Sequence, residues 1–221
     1  MTATSFLLVL LSAVAHAAWN FLFKRANDHE AFVWWMQLGI SVIFCPLAIV
    51  LFIINPIDYK GWIFVVGTSV LHAFYFVLLA RGYAHGDLST VYPVARGTGP
   101  ALVPILGIFI LGEDISSQAM IGIGAVVVGI FVVYWSGKLA RMLKNPLMFF
   151  GEKSTLYALA TGLFICMYSV WDKKGVIYVA PFLYMYLMAL GSGILITPYI
   201  LKTRSVGAIA DEWNLNSKNI V

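Results

Sequence analysis

The stretch AFVWWMQLGISVIFCPLAIVLFII, from Ala31 to Ile54, runs for 24 residues without a charged side chain. A helix crossing a bilayer needs about 20 predominantly apolar residues, whereas a barrel strand needs roughly 9–11 that alternate in character. This run is continuous, so it predicts a membrane-spanning helix. Six more runs flank it: Ser5–Phe23, Gly61–Leu79, Leu88–Leu111, Ala119–Trp135, Thr155–Trp171 and Pro181–Leu201. Turn and helix-end residues such as Asn55-Pro56 and Gly112 punctuate them.

Composition supports the same reading. Of 221 residues, 61% are hydrophobic and 11% charged, against about 45–50% and about 25% in a soluble domain. That excess of apolar surface needs lipid to cover it, and lipid obliges the backbone to pair within the chain. The expected fold is an all-α integral membrane protein of about seven transmembrane helices, with the lipid bilayer as its first partner. The net charge of +4 comes from bases lying between apolar runs. They form no stripe, so no nucleic-acid partner is expected. Cys45 and Cys166 fall within apolar runs and read as small core hydrophobes, with no metal site or disulfide framework. The leader Met1–Ser5 lacks the positive charge of a secretory signal.

A weak internal repeat organises the chain. At an offset of 149 residues, Leu11-Ser12-Ala13 falls over Ala160-Thr161-Gly162, Trp19-Asn20 over Tyr168-Ser169, and Lys24-Arg25 over Lys173-Lys174. This divides the chain into a five-helix module (1–137), a basic linker (138–153) and an incomplete second module (154–221) holding two helices and a polar tail. A module with an odd number of helices repeats upside down. Inverted repeats of this kind characterise many secondary transporters, which bind substrate between the halves near mid-membrane. Counterparts of His72 through Trp135 are not found in the second module. Either the chain is a fragment or truncated product, or a homodimer or second subunit supplies the missing helices.

Two motifs carry a family resemblance. Leu11–Asn20 with Lys24-Arg25 resembles the opening helix of EamA-type members of the drug/metabolite transporter superfamily. Gly86-Asp87-Leu88-Ser89-Thr90-Val91-Tyr92-Pro93-Val94-Ala95-Arg96-Gly97-Thr98-Gly99-Pro100, continuing to Leu111-Gly112-Glu113, is similar to the fourth helix of that family. The resemblance implies a ten-helix exporter or permease made of two inverted halves in a bacterial cytoplasmic (inner) membrane. The small-molecule substrates it implies are amino acids, other metabolites or drugs. The expected function is secondary transport of small polar metabolites such as amino acids or other organic anions. A non-transporting truncated remnant, or an assembly subunit of a membrane complex, is the alternative.

Within the runs, Arg96 is the residue most telling of function. A central Arg costs about 2.5–3.5 kcal/mol to insert, and such residues face a cavity more often than lipid. Tyr92 shares its helix face. Pro100 and Pro104 free carbonyls within the same helix, which is tolerated where the backbone lines water. In the first run His16 and Asn20 lie one turn apart with Trp19 beside them. His72 and Tyr75 share a face of the third run. Substrate binding is assigned to Arg96, Tyr92, His16, Asn20, Trp19, His72 and Tyr75, against the plainer reading that the histidines and Asn20 only bond neighbouring helices. Tyr168 and Asp172 are weaker candidates. Gly122, Gly124 and Gly129 are expected to permit close helix packing. No phosphate-binding loop and no hydrolase or zinc-protease motif occurs, so neither catalysis nor a cofactor is expected. No Asp or Glu falls in the middle of a run, which leaves His16 or His72 as the proton carrier if transport is proton-coupled. Basic residues favour the loops after odd-numbered runs, which by the positive-inside rule places the amino terminus outside. The family resemblance implies a cytoplasmic amino terminus, and that orientation is adopted.

Overall fold

A computed structural model of the chain describes residues 3–112, 116–135 and 151–220, and within them the fold is entirely helical. The helices are α1 (Ala3–Arg25), α2 (His29–Ile43), α3 (Cys45–Ile54), α4 (Tyr59–His85), α5 (Leu88–Leu106, continued by a π-turn at Gly107–Leu111), α6 (Ser117–Trp135), α7 (Lys153–Tyr178), α8 (Pro181–Thr203) and α9 (Val206–Ile220). All seven apolar runs are helical. Residues 138–150 of the predicted linker, with Glu113 and Asp114, lie outside the described residues.

Helices α1, α4, α7 and α8 are long and apolar enough to cross a membrane. The run Ala31–Ile54, expected as one helix, is two: α2 and α3 meet at Phe44 with a 59° bend. Pro46, in the first turn of α3, explains the break, because its ring displaces the preceding carbonyl and it has no N–H to donate. Arg96 and prolines interrupt the apolar run of α5, and α6 is a 19-residue apolar helix. The polar tail expected after α8 folds instead as α9.

Local chemistry sets the helix starts. The Asp28 carboxylate accepts from the N–H groups of Glu30 and Ala31 at 3.1 Å and so caps α2, and Asp58 caps α4 by accepting from Gly61 N–H at 2.7 Å. Lys24 reaches back to the other end of α4. Its ammonium donates to the carbonyls of Tyr83 (2.5 Å) and Gly86 (2.8 Å), satisfying acceptors that lack an intrahelical partner where that helix ends.

α4 is the central element, with α7, α8 and α2 packed around it. Small residues set the closest approaches. A Cβ on Gly162 of α7 would stand 2.4 Å from Thr98 Cβ on α5, and one on Gly99 would stand 2.5 Å from Ile165. One on Gly67 of α4 would meet the Trp171 indole at 2.4 Å. By contrast, a Cβ on Gly122, Gly124 or Gly129 would meet nothing within 4 Å among the described residues, so the packing role expected for these glycines is not seen there. α6 packs along α5 and turns its remaining surface outward, as does the amino-terminal half of α1.

Candidate functional site

Arg96 lies midway along α5, and the close α5–α7 crossing at Gly99 and Gly162 brings α7 to its side. The guanidinium donates to Tyr75 Oη of α4 at 3.1 Å and to the hydroxyl of Tyr168 on α7. Its carbon sits 5.9 Å from the Tyr75 ring centre and 6.0 Å from that of Tyr92, within cation–π range. The side chains that touch it are thus Tyr75, Tyr92 and Tyr168, all phenols. Among the described residues no carboxylate pairs with it.

The seven residues selected from the sequence form one connected cluster. The His16 ring lies 6.4 Å from that of Tyr92, and Trp19 Nε1–H donates to His16 Nδ1 at 3.1 Å. His72 stacks on Tyr168 at 4.2 Å and sits edge-on to Tyr75 at 6.0 Å. Asn20 is only 2% exposed. Its amide donates to the His16 carbonyl (2.8 Å) and contacts His16 Nε2 (3.3 Å), while its oxygen accepts from Tyr83 Oη (2.8 Å). These contacts occupy both ends of the amide, so Asn20 positions His16. His16 and Trp19 also line a cavity of about 550 Å³ between α1, α2, α4 and α8, whose walls include Gln37, Phe76 and Met188.

Two participants were missed in the sequence. Tyr83 closes the cluster beneath Asn20, and the signal for it was present: Tyr75, Leu79 and Tyr83 repeat at four-residue spacing on one face of α4. Tyr184 of α8 donates to Asp172 Oδ1 at 2.7 Å. Its signal was hidden because the sixth run was read as ending at Trp171. α7 in fact continues to Tyr178, which puts Asp172 six residues inside the helix. The expected end of the sixth run at Trp171 is therefore corrected, and its helix takes in Asp172 near its carboxyl end.

A second polar cluster ties the opposite end of the bundle. Arg204 donates to both oxygens of Asp28 (2.8 and 3.1 Å) and is also paired with Glu30. Glu30 further accepts from Arg81 Nε (3.0 Å) and from Tyr199 Oη (2.8 and 2.9 Å). Glu212 of α9 accepts from Asp28 N–H at 2.9 Å. Burial opposes the Asp28 charge, but the hydrogen bonds from Arg204 and from backbone N–H groups outweigh it and lower its pKa. Burial raises that of Glu212, and the nearby Asp28 charge adds to the shift.

Among known proteins, a model of the EamA-like transporter family matches residues 3–135, which contain Arg96 and all the residues assigned with it. No curated protein and no solved structure matches the chain.

Proposed function

The chain belongs to the EamA-like transporter family, multi-pass membrane transporters rather than enzymes, and on that premise we propose that Arg96 and its tyrosines bind the anionic group of a small polar metabolite in transit. The observation that carries this reading is a guanidinium placed mid-helix whose neighbours are all neutral. Phenol hydroxyls and ring faces orient the charge without cancelling it. A charge held away from water needs an opposite charge or strong hydrogen bonds, and the planar guanidinium suits a two-oxygen carboxylate or phosphonate. His16 and Trp19 connect the cage to the cavity beside it, a route for the rest of the molecule. Amino acids and other organic anions fit this chemistry, and the host membrane is a bacterial cytoplasmic one.

The repeat supports a binding site between two halves. Adding 149 to the helix starts Ala3, His29 and Tyr59 gives 152, 178 and 208, and helices begin at Lys153, Pro181 and Val206. On that register Arg96 belongs to the first module and Tyr168 to the second.

The test uses the purified full chain in lipid, titrated with a panel of amino acids and dicarboxylates. Charge-assisted hydrogen bonds contribute about 1.5–3 kcal/mol, so Arg96→Ala should weaken binding of the tightest anion roughly tenfold to a hundredfold. Arg96→Lys should recover little of it. Wild-type affinity in Arg96→Ala would remove the reading.

A further inference from the structure

A line of hydrogen-bonding groups leaves the Arg96 cluster through α4 and α8 and ends at a carboxylate. His72 Nδ1 lies 3.0 Å from the Thr68 carbonyl and 3.0 Å from Thr68 Oγ1. A carbonyl only accepts, so Nδ1 carries the hydrogen, and Nε2 is left as the nitrogen that takes up an incoming proton. Thr68 Oγ1 receives from Nδ1, and the hydroxyl of Tyr184, which reaches the Phe64 carbonyl one helical turn from Thr68 (3.4 Å), stands next in line. Tyr184 donates to Asp172 Oδ1 at 2.7 Å. Every link in the series points the same way, from imidazole through two hydroxyls to carboxylate.

The ends of the line are placed for transfer. His72 is 6% exposed, and stacks on Tyr168, which holds Arg96. Thr68 is fully buried and Tyr184 is 1% exposed, so the middle is shielded from competing water. Asp172 is half-buried and lies six residues, roughly 9 Å, from the end of α7, with the exposed Lys173 and Lys174 after it. The ionisable groups facing His72 are Tyr75 on its own helix and Tyr168 and Asp172 on α7. Arg96 lies behind the first two, and Tyr184 of α8 behind Thr68.

We propose that His72, Thr68, Tyr184 and Asp172 form a proton relay between the Arg96 chamber and the membrane surface at the carboxyl end of α7, and that it couples transport to protons. This rests on the transporter reading above and adds its driving ion. In the forward direction a proton binds His72 Nε2 and the Nδ1 proton passes to Thr68 Oγ1. Thr68 passes its own hydroxyl proton to Tyr184, and Tyr184 passes its own to Asp172. Each hop forms one O–H bond as another bond to hydrogen breaks. The net result is a neutral His72 and a protonated Asp172, with both hydroxyls restored.

The test follows His72 itself and needs no substrate. The full chain in lipid nanodiscs is subjected to a rapid pH jump, with time-resolved infrared detection of the His72 ring band, assigned by its loss in His72→Gln. Removing a positioned proton carrier should slow transfer to the imidazole by at least roughly tenfold. Tyr184→Phe and Thr68→Val are each expected to do so. Thr68→Val preserves shape, so it decides the matter if Tyr184→Phe does not accumulate. Wild-type rates in the variants would show that His72 exchanges protons by another route and would overturn the relay. Anion titration of the same variants keeps the two readings apart. A slowed relay with normal binding supports the proposal, and loss of binding in Arg96→Ala alone bears only on the anion site.

Discussion

Replacing Gly162 by alanine should uncouple α5 from α7, and replacing Gly124 by alanine should not. The added Cβ at position 162 would lie 2.4 Å from Thr98 Cβ and 2.9 Å from the Ala95 carbonyl. Neither atom moves by a side-chain rotation, so the helices themselves must part. Overpacking of this kind costs about 1–3 kcal/mol. Alanine recovers about 0.5–1 kcal/mol of helix propensity over glycine, which leaves a net loss of about 1–2 kcal/mol, or roughly five- to thirtyfold in the closed-to-open ratio. At Gly124 nothing among the described residues lies within 4 Å, and only the propensity gain remains. Cys166, on α7 four residues from Gly162 and fully buried, reports the opening through its rate of maleimide alkylation in a Cys45→Ala background. The Gly162→Ala chain should react roughly five to thirty times faster, and the Gly124→Ala chain no faster than the parent. Equal rates in both would refute the claim that the glycine contact holds Tyr168 against Arg96.

Other outcomes follow from the far end of the bundle. The raised pKa of Glu212 means that its contribution is fully present below the ordinary carboxyl value and is lost as pH rises through the folded value. α9 should therefore dock more firmly on acidification from neutrality, read by fluorescence of Trp213, which packs 4.8 Å from Trp35, and Glu212→Gln should flatten that dependence. The lowered pKa of Asp28 has the opposite sign, so its contribution disappears only as pH falls below the ordinary carboxyl range. Arg204→Ala removes a charged partner from two acids, of which Glu30 is 6% exposed, and should lower stability by about 1.5–3 kcal/mol in chemical unfolding. Orientation is tested by labelling Lys202→Cys, in a chain freed of Cys45 and Cys166, with an impermeant reagent in intact cells. A cytoplasmic amino terminus predicts labelling, and protection would support the positive-inside reading.

Long apolar runs located every apolar helix, because a bilayer demands length and hydropathy that few soluble helices have. The bend at Phe44 was less visible: Cys45-Pro46 sits in the sequence, but a proline can end, kink or start a helix. Composition also misread glycines. Gly122, Gly124 and Gly129 look like a packing face, yet the close contacts fall at Gly67, Gly99 and Gly162, because contact depends on which helix lies opposite. Arg96 stood out because its charge is costly in a membrane, and Tyr92 because helical spacing placed it on the same face. That Tyr75 and Tyr168 meet Arg96 from two other helices is tertiary information, which spacing along one helix does not contain. Asp172 was named only as a weaker candidate because hydropathy ended its helix at Trp171, whereas backbone hydrogen bonding carries it to Tyr178.

The most direct measurement of the central claim is an internuclear distance. With guanidinium-labelled arginine and a carboxylate-labelled anion, the tightest binder from the panel, solid-state dipolar recoupling in lipid reads the separation between Arg96 Cζ and the carboxylate carbon. A two-oxygen pairing predicts about 4–5 Å, from charge-assisted N–H···O bonds of about 2.7–2.9 Å, with the signal abolished in Arg96→Lys. A bound anion that shows no dephasing at Arg96, or the same dephasing after Arg96→Lys, would contradict the account.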